Sequence, residues 1–182
     1  MTWLNTILIL VAAFLVVFWQ AAFGGVRHIL GAQVDLLPAL MVYASLCSDF
    51  ATVCLLAVCG GLWFDSLSAN PLGISVLPLF VIGLGLYINR GLILRDQTFA
   101  QFVLGLAASG AAPVMTLGLL LTAGHAPLFG WGTVWQLVVM TVGGALATPV
   151  CFALFDGLQR ALVHRGASQT SFRPDREIRR GR

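Results

Sequence analysis

Apolar residues run from Trp3 to Phe23 without a single charge, and the same texture returns in blocks along the chain, interrupted by short polar clusters. A helix needs about 20 mostly apolar residues to cross the hydrocarbon of a bilayer, and the first block reaches that length. The second block, Leu36 to Phe64, stays apolar for 29 residues except at Ser48-Asp49. An aspartate held in mid-bilayer costs at least ~2.5 kcal/mol, and a tight hairpin that brings Asp49 to the surface avoids most of that cost. The pattern therefore predicts two short helices here, entered through Pro38 in a first turn. One long tilted helix is the alternative. Three further blocks follow: about Leu72 to Ile88, with Pro78 as a kink, about Phe99 to Ala123, with Pro113, and about Val134 to Leu158, with Pro149. Polar, arginine-rich sequence takes over near Val163.

Composition fixes the solvent. The 182 residues are 59% hydrophobic and 9% charged, with no lysine, whereas a soluble domain carries about 25% charged residues. The expected fold class is an all-α integral membrane protein, a bundle of six transmembrane helices, or five if Leu36–Phe64 is one. Residues 1–162 form the polytopic membrane domain and residues 163–182 a disordered tail. The first block lacks the basic flank and short core of a signal peptide, so it is expected to stay as the first helix.

Charge is unevenly placed. Seven arginines between Arg160 and Arg182 stand against Asp175 and Glu177, while Arg27, Arg90 and Arg95 stand against five aspartates upstream. The basic pI thus belongs to the tail and gives no nucleic-acid footprint. With six spans and both termini in the cytoplasm, nine arginines lie inside and only Arg27 outside, as the positive-inside rule requires. Arg160 and Arg165, beside the last span, are candidates for anionic lipid headgroups.

Candidate chemistry is sparse. Cys47, Cys54, Cys59 and Cys151 lie in apolar segments without metal-ligand spacing, and His28, His125 and His164 form no pair, so neither a metal nor a cofactor is expected. No nucleophile elbow, zinc-protease or Walker motif is present. Asp49 is explained by its hairpin, Asp96 by a helix start before Thr98, and Asp156 by an i,i+4 pair with Arg160. Asp65 is harder to place. It lies in the stretch WFDSLSANPLG (Trp63–Gly73) at a helix C-terminus, where the macrodipole disfavours a carboxylate. An Asx-type turn onto the amides of Leu67 and Ser68 would hold it, and Asn70-Pro71 followed by Gly73 would shape the turn. A structural turn and a partner- or ligand-binding loop both fit. Helix packing is better represented: Ala107/Ala111, Ala108/Ala112, Gly143/Ala147 and Gly144/Thr148 are small residues four apart.

The segment GGLWFDSLSANPLGISVL (Gly60–Leu77), preceded by Asp35-Leu36-Leu37-Pro38, resembles the rod shape-determining protein MreD family of bacteria. The likeness rests on a G-x-x-x-D-x-x-x-x-x-P-L-G box from Gly61 to Gly73, on the later proline-punctuated spans and on the basic end. It implies a fold similar to the substrate-binding subunits of energy-coupling-factor vitamin transporters. It also implies a non-enzymatic scaffold of the lateral cell-wall elongation complex in the bacterial inner membrane. Such a scaffold would bind MreC, and through it RodA, the elongation-specific penicillin-binding protein and MreB. On this resemblance Asp65, Asn70, Pro71, Leu72 and Gly73 are the family-motif and partner-binding candidates. The arginine-only tail departs from the pattern. A vitamin transporter's substrate-binding subunit is the alternative function.

Overall fold

In the computed structural model, residues 2–22, 31, 34–68, 71–93, 97–124 and 130–167 are described, the side chains of 2, 159 and 161–167 excepted. Among the described residues there are six helices and no strand: α1 (Thr2–Ala22), α2 (Leu37–Cys47), α3 (Phe50–Leu67), α4 (Val76–Asn89), α5 (Thr98–Thr122) and α6 (Trp131–Ala167). Four of them, α1, α3, α5 and the Trp131–Leu158 part of α6, are long and apolar enough to cross a membrane. The other two are apolar but short, 11 residues in α2 and 14 in α4. At 1.5 Å per residue they measure about 16 and 21 Å, against a hydrocarbon core of about 30 Å.

The chain breaks at Ser48-Asp49, so the single-helix alternative for Leu36–Phe64 is overturned. Ser48 is extended, its amide closing the last turn of α2 onto the Ala44 carbonyl at 2.9 Å, and Asp49 is exposed. Polar side chains gather at this end. Asn5 donates to Ser48 Oγ at 3.1 Å, and the Thr6 and Thr52 hydroxyls lie 2.8 Å apart. The Arg90 guanidinium reaches the Ser48 carbonyl at 3.5 Å and lies 4.3 Å over the Tyr87 ring.

The core is the shortest helix. Every residue of α2 from Leu37 to Leu46 is buried, because α1, α3, α4 and α5 all pack on it. A helix apolar on all sides belongs in such a position. Around it, α1 buries only the stripe Ile9, Ala13 and Val17 and leaves Trp3, Leu4, Ile7, Val11 and Phe18 exposed. In lipid that outward face is solvated by acyl chains.

Glycines set the close approaches. A Cβ at Gly83 would lie 2.8 Å from Met41 Sδ and Val53 Cγ1, and one at Gly61 would lie 2.8 Å from the Val76 Cα. Between α5 and α6, Gly105 faces Thr148 and Gly144 faces Ser109, an antiparallel interlock in which each helix gives a glycine to the other's hydroxyl. Small-residue spacing is thus used, but on one face of each pair: Ala108 and Ala112 are buried, whereas Ala107 is exposed. The Thr148 hydroxyl is satisfied by the Gly144 carbonyl at 2.8 Å.

One further expectation is corrected, and the last helix runs on. Pro78 does not kink a span begun at Leu72: residues 72–75 form a turn, and Pro78 sits in the first turn of α4, where its missing amide costs no helical bond. And α6 continues to Ala167, past the residue at which the tail was expected to begin. By packing the chain divides into a unit of residues 1–151 and a second from Phe152 onward. Everything described below lies in the first unit unless stated otherwise.

Candidate functional site

Two aspartates lie near the end of the helices opposite Arg90. Asp65 is the more enclosed, at 1% exposure in the last turn of α3. Its Oδ2 accepts hydrogen bonds from the amides of Gly73 at 2.8 Å and Ser75 at 3.1 Å. The expected Leu67 and Ser68 amides are not its partners: the Ser68 amide bonds the Asp65 backbone carbonyl instead, at 3.3 Å. The reason is electrostatic. A carboxylate at the C-terminus of α3 opposes that helix's dipole, but the same carboxylate lies at the N-terminus of α4, where unpaired amides and a positive dipole end welcome it. Ser75, at the N-cap of α4, makes no side-chain capping bond of its own. Asp65 supplies the cap from the neighbouring helix.

The whole box then reads as one device. Gly61 lets the Val76 backbone lie against α3. Asp65, one turn further on the same face, holds the amides just before Val76. Gly73 takes φ +93°, a left-handed conformation that side chains resist. The turn closes with the Ile74 amide on the Pro71 carbonyl at 3.4 Å. Pro71 and Leu72 are left outside, Leu72 at 71% exposure. Asn70 lies outside the described residues. The second carboxylate oxygen, Asp65 Oδ1, is buried with no hydrogen-bond partner among the described residues.

Asp35 is the second acid, two residues before α2. Its Oδ1 accepts the Leu37 amide at 2.9 Å, so it too serves a helix N-terminus. Unlike Asp65, it borders a cavity of about 270 Å³, just below the usual range of ligand pockets and far above the room one water needs. Burial pushes its carboxyl up to about 6, the Leu37 amide pulling the other way. The cavity is walled by helical stripes: Ser75, Pro78 and Leu79 of α4, residues 112–120 of α5, and Thr133, Gln136, Leu137 and Met140 of α6. Sequence reasoning noticed Asp35 only as a helix entry and missed Thr116, Thr133 and Gln136. The available signal was their i,i+3/i+4 spacing with the apolar wall residues.

Asp156 and Arg160 are exposed in the second unit, one turn apart on α6, and Arg165 lies on the same helix with its side chain undescribed. Asp96 and the three histidines fall outside the described residues or side chains. The four cysteines form no disulfide and are half-buried, and the described residues contain no group of three His, Cys, Asp or Glu side chains that could hold a metal. Compared with protein-family models, with curated proteins and with solved structures, the chain matches none.

Proposed function

We propose that this chain is a non-catalytic scaffold of the lateral cell-wall elongation machinery, an MreD-like protein of the bacterial inner membrane that binds MreC. The observation that supports this reading best is the internal use of the box. Its one acid is enclosed and bonded to backbone amides, while Pro71 and Leu72 are lifted outward. A loop built that way presents a rigid apolar tip to a partner and withholds its acid from any substrate. In this reading all six helices cross or enter the bilayer, both termini lie in the cytoplasm, and the box faces outward. Arg160 and Arg165 then meet anionic headgroups where α6 leaves the inner leaflet, at ~1 kcal/mol per arginine near the surface. RodA, the elongation-specific penicillin-binding protein and MreB are reached through MreC.

The test is capture of MreC from membranes solubilised in mild detergent. Leu72→Asp, at an exposed position, is expected to leave thermal stability within about 0.5 kcal/mol of the parent and to weaken capture at least tenfold, the factor carried by ~1.4 kcal/mol. Failure of the unsubstituted chain to capture MreC sinks the scaffold reading.

A second reading, the substrate-binding subunit of a vitamin transporter, is favoured by the cavity at Asp35. Tight binding of a vitamin and co-purification with an ATPase-driven transporter would establish it in place of the first.

A further inference from the structure

The cavity at Asp35 has a graded wall. Thr133 and Gln136, in the first turns of α6, lie at one end, whereas the backbone of Asp35 lies beside Gly144, a turn beyond Met140 on the same helix, so the carboxylate belongs to the inner end. α5 runs the other way, placing Leu120 shallow and Ala112 and Pro113 deep. The outer end therefore offers the Thr133 hydroxyl and the Gln136 carboxamide, the inner end the Asp35 carboxylate, and the wall between them is largely hydrocarbon. Asp35 is the sole charged residue among the described residues that line it. Its Oδ1 is engaged by the Leu37 amide, an arrangement that fixes the carboxylate, and the described wall residues include no cationic side chain.

We infer that this cavity is a binding site for a small amphiphile with an ammonium or other hydrogen-bond-donating head and an apolar body, the head on Asp35 at the inner end and the body along Pro113, Leu117 and Met140. A carboxylate or phosphate head entering alone would meet Asp35 and pay the repulsion of two like charges at low dielectric. A fully apolar molecule would cover the Asp35 carboxylate without offering it a partner in place of water. An amine-bearing amphiphile satisfies the carboxylate and the apolar wall together. The inference goes beyond the scaffold reading, which asks nothing of the cavity, and stands or falls independently of MreC capture.

The site is probed with alkyl heads of one length: octylamine, octanol and octanoate. The full chain carries Thr116→Cys in the cavity wall and is reconstituted in phosphatidylcholine nanodiscs. A thiol reagent then reports access, with labelling of the parent's own half-buried cysteines subtracted. Octylamine is expected to protect the introduced thiol at a concentration at least about tenfold below octanoate, the ratio a charge-assisted contact supplies. Asp35→Asn is expected to bring octylamine level with octanol. Met140→Trp, which fills the apolar stretch outside Asp35 and leaves the carboxylate itself untouched, is expected to abolish protection by all three, and it keeps the test open should Asp35→Asn fail to fold. Protection in nanodiscs containing phosphatidylethanolamine, without added amine, would assign the ligand to the lipid. Protection by octylamine alone would assign it to a soluble amine. Equal protection by amine and octanoate, protection by none of them, or an amine preference that survives Asp35→Asn overturns the inference.

Discussion

Asp65 and Asp35 are the same residue placed at two helix N-termini near one end of the molecule, and they differ in what closes over them. Around Asp65 the neighbouring backbone is drawn in by Gly61, two amides are bonded and the side chain is sealed. Around Asp35 one amide is bonded, and the helices α4, α5 and α6 stand back far enough to leave about 270 Å³. The contrast separates two uses of a buried acid. One fixes the chain to itself, and the other is held ready for something else. The close approach at Asp65 rests on Gly61, which admits the Val76 backbone, whereas the cavity is walled on the α5 side by Pro113, Thr116 and Leu117.

The contrast can be broken most forcefully at Gly61. Gly61→Leu places side-chain atoms where the Val76 backbone lies, and backbone cannot move aside as a side-chain tip can. A loss of about 3 kcal/mol or failure to fold is expected, read by thermal unfolding of the detergent-solubilised chain. A stable, fully folded variant would mean that the α3–α4 contact is looser than described. Asp65→Ala comes next. It leaves the Gly73 and Ser75 amides without an acceptor, a loss of about 2 kcal/mol in the same assay. Asp65→Asn keeps one acceptor oxygen for both amides and is expected to lose less than half as much. If Asn proves as damaging as Ala, the charge and not the acceptor holds the turn.

The smallest effect sharpens the other side. Because the folded carboxyl of Asp35 titrates near 6 and the ordinary value is 3.8, the folded chain binds more protons than the unfolded one between those values. Stability from this group is complete below about pH 4 and is lost as pH rises to about 6. Asp35→Asn should flatten that part of a melting-temperature profile. The octylamine effect runs in the opposite direction: it needs the charged form and should strengthen as pH rises through about 6. The described wall residues from α3, α4, α5 and α6 include no other titratable group that would confuse the profile.

Parts of this were legible from the chain alone, for definite reasons. The break at Ser48-Asp49 could be placed because an acid in the bilayer is expensive whatever its neighbours. Which apolar face is buried could not be read, since lipid and protein interior demand the same residues: nothing in the composition of α2 distinguishes a core helix from a lipid-facing one. For the same reason Ala107/Ala111 and Ala108/Ala112 look equivalent as strings, and only the second is packed. The partners of Asp65 were misplaced because local turn chemistry points two or three residues ahead, whereas the amides that hold it are eight and ten residues away. The cavity draws its wall from α2, α3, α4, α5 and α6 and has no linear signature.

The shortness of α2 has one more consequence. Its lower end is level with Asn5, through the bond to Ser48. From that level α1 climbs about 26 Å to Ala22, whereas α2 climbs about 16 Å to Leu37. The helix that carries Asp35 thus starts about 10 Å short of its neighbour, at the foot of a depression with low-dielectric walls. A lone negative charge in such a funnel is poorly screened by the ions outside, and its field lines are channelled along the shaft.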